Sequence, residues 1–147
     1  MKIKHLILVL SILFWSATAC GKQSVVTKSS TPSPIQKPKA GKAMVTGKVI
    51  STYTTQPLET SVWLAEVHRQ GDQAVYVLDA VSSPGIHTDE NGTFVLANIA
   101  PQEYVILIGD PEGQNEVVVD STGKAKVWNI PADQIFDTGE LKVKLTK

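Results

Sequence analysis

The chain predicts an all-β fold, a single antiparallel β-sandwich of about seven or eight strands. Three observations carry this. From Ala43 onward the apolar residues come in short runs rich in Val and Ile. The runs are separated by segments with turn chemistry, "TTQPLE", "RQGDQ", "SSPGIHTDENG", "APQE", "GDPEGQ" and "STGK". No stretch sustains a helical period, apart from a single turn's worth near "PADQIF". Short strands at this spacing, with turns between them, describe a sandwich.

The elements follow in order. "MVTGKVI" opens the pattern, and in "SVWLAEV" Val62 and Leu64 face one way while Trp63 faces the other. "AVYVLDAV" sets Tyr76 against Val75 and Val77. In "TFVLANI" Phe94 and Leu96 alternate with Val95 and Ala97, so one face packs inward. "YVILIG", "EVVVD", "AKVWNI" and "LKVKL" complete the set, with Trp128 opposing Val127. If the aliphatic face is the core, Trp63, Tyr76 and Trp128 lie on outer faces, where rings suit stacking on a sugar or peptide. The alternative is that they cover a strand edge or fill a second cluster.

The segment "IHTDENGTFVLANIAPQEY" gathers Asp89, Glu90 and Asn91 before Gly92. Asp89 can accept backbone hydrogen bonds, Asn91 tolerates left-handed dihedrals, and Gly92 supplies a positive φ without steric cost. Pro101 then makes a corner before Tyr104, whose buried hydroxyl is expected to bond nearby backbone. A hairpin and a corner result. Calcium is the competing reading, but its loop alternates oxygen ligands and closes with a Glu. Here His87 and Asn98 stand at the positions that matter.

Residues 1–19 form a secretory signal peptide: Lys2 and Lys4 precede "LILVLSILFW" and then "SATAC". The apolar run is about half of the roughly 20 residues a membrane helix needs. Cys20, the only cysteine, follows Ala17, Thr18 and Ala19, and this resembles the lipobox of bacterial lipoproteins. The resemblance implies that Cys20 is acylated and anchors the mature chain in membrane lipid. Gly21 after the cysteine implies the outer membrane where the host has one. Residues 20–42 are rich in Ser, Thr, Pro and Lys and cannot bury a core, so they read as a disordered tether. The tether carries Lys22, Lys28, Lys37, Lys39 and Lys42 and no acid, while residues 43–147 hold seven basic residues against all fourteen acids. An acidic domain is a poor partner for nucleic acid.

Residues 43–147 suffice for one domain. "VTGKVIS" with "QPLETSVWL", then "TDENGTFVLANIAPQEY" and "FDTGELKVKL", resemble the carboxypeptidase regulatory-like domain, a prealbumin- or transthyretin-like β-sandwich. The middle stretch from Glu66 to His87 is longer than is typical of that family. The resemblance implies a non-catalytic interaction or structural module. A ureide-hydrolysing branch of the transthyretin-like fold would require catalytic His and Arg and a C-terminal Tyr-Arg-Gly-Ser, whereas this chain ends "KVKLTK" and has one arginine, Arg69.

Outside the leader the histidines are His68 and His87, and zinc asks for three or four protein ligands. No Gly-x-Ser-x-Gly and no second cysteine supply a nucleophile. The expectation is therefore no enzyme, no cofactor, no metal and no catalytic residue. Partners are expected to be membrane lipid through Cys20 and an envelope glycan or protein at Trp63, Tyr76 and Trp128.

Overall fold

The computed structural model describes residues 37–147 except 72 and 147. The leader, Cys20 and the tether as far as residue 36 lie outside the described residues. Hydrogen bonding to the sandwich begins ahead of Ala43. The Gly41 amide donates to Asp133 Oδ1 at 2.6 Å, and the Asp133 amide donates to the Lys42 carbonyl at 2.7 Å.

The described residues form nine strands: β1 (Ala43–Ser51), β2 (Ser61–Gln70), β3 (Gln73–Val77), β4 (Gly85–His87), β5 (Thr93–Ile99), β6 (Glu103–Gly109), β7 (Asn115–Val117), β8 (Val127–Asn129) and β9 (Ile135–Val143). They make two sheets. One has the order β5-β1-β9 and the other centres on β2 and β6. Each flank of the β2–β6 pair is built from two short strands. β4 and β3 share the free side of β2, and β7 and β8 share the free side of β6.

The all-β sandwich is thus the fold, with two additions. The long middle stretch supplies an extra strand, β4, where the sequence shows turn residues. The first and last strands pair parallel, Val45 opposite Phe136 and Val49 opposite Leu141, while the other strand pairs are antiparallel. Two further boundaries differ from expectation. "AVYVLDAV" leaves the sheet after Val77, because the Asp79 carboxylate takes the Val81 amide at 2.9 Å and the Ser82 hydroxyl at 2.7 Å and closes a loop instead. The segment near "PADQIF" makes no helical turn; β9 starts at Ile135, where pairing to Met44 is available.

The core lies between the sheets. Val45, Val49, Phe94, Leu96 and Ile99 meet Val62, Leu64, Tyr104, Ile106 and Ile108, with Leu141, Val143 and Leu145 closing one side. Period-two alternation explains β5, where Phe94 and Leu96 are buried while Val95 and Ala97 are exposed. It does not explain β6, in which every residue from Tyr104 to Gly109 is buried. A strand apolar at successive positions is covered on both faces, and the second cover determines the candidate site.

Candidate functional site

The acidic turn at Asp89 is one of three built alike. In Asp89–Thr93, Asp110–Gln114 and Asp120–Lys124 the glycine amide at the fourth position donates to the aspartate carbonyl, at 2.9, 3.0 and 3.1 Å. The aspartate amide donates to the carbonyl of the fifth residue, and its Oδ1 accepts the amide two residues on, from Asn91, Glu112 and Thr122 at 2.9, 3.0 and 2.7 Å. Asp89 Oδ1 also accepts the Thr93 amide at 2.8 Å. The D-x-x-G pattern suits that turn: a short carboxylate takes the orphan amides, and the glycine is free to adopt positive φ. Gly92 and Gly123 do so, at 72° and 81°, whereas Gly113 closes the Asp110 turn without a positive φ. Asn91 does not adopt the left-handed conformation; Gly92 takes it, and among the described residues the non-glycine positions with positive φ are Thr55, Asn98 and Asp133.

The connection at Asp89 is a corner between sheets and not a hairpin. β4 pairs with β2 in one sheet, and β5 pairs with β1 in the other. Thr88, buried at this corner, donates its hydroxyl to the Leu58 carbonyl and accepts the Thr60 amide, both at 2.8 Å. Beyond β5, Pro101 is exposed at the next turn and the Tyr104 hydroxyl donates to the Ala100 carbonyl at 3.2 Å. Burial raises the Tyr104 pKa, helped by the negative charge of Glu66 opposite it. Among the described residues no three His, Cys, Asp or Glu side chains come together where they could hold an ion.

The three aromatics do not form one patch. Since Val62 and Leu64 point into the core, Trp63 stands on the outer face of the six-stranded sheet. There its indole lies across Gly85, where an added Cβ would come within 2.6 Å of Trp63 Cζ3. The indole N–H donates to the Gly109 carbonyl at 3.2 Å. Trp128 is turned the opposite way from the expectation. It pairs with Tyr104 on the inner face, packs against the core and meets Phe136 edge-to-face at 6.0 Å, with Lys126 Nζ 3.6 Å over its ring. Val127 takes the outward position. Tyr76 alone of the three is exposed, at 45%.

Trp63 belongs to a second apolar layer on the outer face. Leu107 stands between Trp63 and Val117, and Val105 between Ala65 and Val127, in register across three strands. Leu107, Val105 and Ala65 are buried although they point away from the core. Beside this layer runs an open groove of about 500 Å³, floored by Val67 and Val105 and walled by Tyr76 and Ala74 on one side and by Ala125 and Val127 on the other. Lys124 stands at its rim.

Arg69 at the groove's end forks onto Glu103, with Nε and Nη2 at 2.6 and 3.0 Å from the two carboxylate oxygens. The bidentate pair holds the Glu103 carboxyl below its ordinary range and raises the Arg69 pKa. The arginine is therefore committed to a neighbour. On the inner side of the β2–β3 ribbon a smaller polar cavity of about 220 Å³ is lined by Glu66, His68, Val77, Asp79, Ser82 and Ser83. His68 shares that inner side, while His87 stands opposite Ser61 on the outer one. The two imidazoles do not converge.

The groove residues Val67, Val105 and Val127 carry no motif. The one sequence signal for them was the unbroken apolar run "YVILI", which marks a strand with two covers.

No protein-family model and no curated protein matches the chain. Among solved structures it is similar to a 9R-lipoxygenase from Cyanothece PCC8801, at 19% identity and TM-score 0.40, over 76% of this chain and 18% of that one. It is similar to a Pseudomonas aeruginosa protein provisionally described as a carbohydrate binding protein, at 18% identity and TM-score 0.43, over 73% of this chain and 92% of that one. It is also similar to BcpA, the major pilin subunit of Bacillus cereus, at 14% identity and TM-score 0.41, over 72% of this chain and 30% of that one. The chain thus spans under a third of the lipoxygenase and of the pilin subunit, and no functional statement about it follows from these likenesses.

Proposed function

We propose that this protein is a lipid-anchored component of a bacterial cell envelope, displaying a non-catalytic β-sandwich of the carboxypeptidase regulatory-like type as an interaction module. The observation that carries the interaction reading is the outer-face groove, a trough with an apolar floor, Arg69 and Lys124 in its lining and an exposed tyrosine in its wall, on a face that the other sheet does not cover. Its polar groups do not converge as an acid–base pair would have to. Arg69 and Glu103 satisfy each other, and the two histidines stand on opposite sides of the sheet.

The groove suits apolar side chains of a peptide better than the face of a sugar. Sugar stacking uses rings presented together, and here Trp63 lies under Gly85 while Trp128 is on the inner face. Anchoring rests on Cys20 after "SATA", and Gly21 after it carries the expectation of the outer membrane where the host has one. Two or three acyl chains hold a protein where one chain binds marginally.

Two experiments test this. Cys20→Ser should abolish lipid labelling and move the protein to the soluble envelope fraction; an unlabelled, soluble wild type removes the anchor. A photoreactive phenylalanine analogue at position 127, in the groove wall, should give a discrete adduct in cells that the same analogue at position 95 does not. Equal labelling from both positions, or none from 127, removes the groove.

A further inference from the structure

Among the described residues β3 is an edge strand unlike the others. All five of its residues are exposed, with Val75, Tyr76 and Val77 at 60%, 45% and 49%. By register with β2, Val75 and Val77 lie on the side of Glu66 and His68, where Val77 borders the small polar cavity, and Tyr76 lies on the outer side with Val67; all three stay exposed. The remaining edges are blunted. β4, β7 and β8 are three residues each, β9 carries Glu140 and Lys142, and β5 is interrupted where Asn98 adopts φ 60°. Among the described residues β3 pairs only with β2. An uncharged apolar edge with free backbone groups is a template for another strand.

We propose that the occupant is a second copy of this chain, pairing β3 to β3 antiparallel about a two-fold axis through Val75. In a continuous sheet, residues directly opposite must share a face, and the register centred on Val75 is the one that uses all five residues. It places Val75 opposite Val75, Ala74 opposite Tyr76, and Gln73 opposite Val77. On the outer face each tyrosine ring then covers the partner's alanine methyl, large against small, twice over. On the core side the valines, uncovered in one copy, meet across the axis.

Charge permits the pairing. Residues 43–147 carry seven basic residues against fourteen acids, which opposes self-association. The strand itself has no charge, so no like charges face each other in the seam. Asp79, just beyond it, is tied into its own loop by Val81 and Ser82. A five-residue seam is at the small end of interfaces, so the dimer is weak in solution. Copies anchored side by side, on the reading above, gain effective concentration; the seam itself does not depend on that reading. The two outer-face grooves would flank the axis.

The test uses the Cys20→Ser chain recovered from the envelope, which has no other cysteine. Opposed residues in an antiparallel pair have Cα atoms about 4.5–5.5 Å apart, within disulfide reach. Val75→Cys should oxidise to a covalent dimer. Gln73→Cys alone should not, but mixed with Val77→Cys it should give the heterodimer. Sedimentation should show dimer growing in between about 1 and several hundred µM, abolished by Val75→Lys with unchanged melting temperature. A chain that stays monomeric throughout and does not link through Val75→Cys overturns the proposal and leaves the edge to a foreign strand. Equal linking at 73, 75 and 77 overturns it as random collision.

Discussion

The ring of Phe94 lies across the backbone of Gly47, so close that a Cβ on the glycine would sit 2.7 Å from Phe94 Cζ. The two residues are direct partners in the β1–β5 ladder. On the other side of β1 the parallel register to β9 slips at this same place, from Thr46 opposite Asp137 to Lys48 opposite Glu140. The extra residue in β9 brings the Thr138 hydroxyl to the Thr46 carbonyl at 3.0 Å. One glycine therefore lets an aromatic ring close the core and a bulged strand join the sheet.

Gly47→Ala is expected to cost about 1–3 kcal/mol, the usual range for overpacking a filled site. Denaturant unfolding should show the midpoint falling with the slope unchanged. A neutral result would mean that both the Thr138 hydroxyl, the nearest atom to the new Cβ, and the Phe94 ring move aside freely.

The three D-x-x-G turns should respond alike. Asp89→Ala, Asp110→Ala and Asp120→Ala are each expected to lose about 1 kcal/mol as buttressed amides lose their acceptor. Gly92→Val should lose more. At φ 72° a β-branched residue is strained, and an added Cβ would collide with the Val49 carbonyl. Millimolar calcium should not move the melting temperature, because the Asp89 Oδ1 is already taken by amides of Asn91 and Thr93; a rise of several degrees would reinstate the metal reading.

Trp63→Ala and Trp128→Ala should both destabilise, by about 2 kcal/mol or more, since each ring fills an apolar layer. Tyr76→Ala should stay within about 0.5 kcal/mol, as exposed sites do. Thermal melts of the three variants decide the point. A silent Trp63→Ala would restore it as an outer binding ring.

Stability should fall at both ends of the pH scale. Glu103 is held below its ordinary 4.5 by the hydrogen bond from Arg69, and Asp79 and Asp120 below 3.8 by hydrogen bonds within their loops. Near pH 4 and below, the unfolded chain binds more protons at these sites than the folded one, so their contribution is lost as pH falls through the folded values. Tyr104 acts oppositely. Burial lifts it above 10.0, so the unfolded chain ionises first and stability drops as pH climbs past that value. Melting temperature against pH, for wild type, Arg69→Gln and Tyr104→Phe, should show the acid loss reduced in the first variant and the alkaline loss reduced in the second.

What was legible in the residues was local. Alternation in "TFVLANI" and "SVWLAEV" fixed strands and inward faces, because side-chain direction alternates within a strand whatever its partner. The Asp89–Gly92 turn was legible for the same reason, as its hydrogen bonds close within five residues. Orientation failed at Trp128, where three residues of strand carry apolar side chains on both faces and alternation has no sign to read.

Tertiary structure decided the rest. Which strand is parallel to which depends on partners roughly ninety residues apart, as with Val49 and Leu141, and a periodic pattern contains no direction. That Asp89 turns a corner between sheets, and not a hairpin, depends on β4 finding β2 while β5 finds β1. The groove and the bare β3 edge arise because one sheet is wider than the other. Each is a property of uncovered area, and coverage is set by the packing of distant segments, which no single stretch of sequence records.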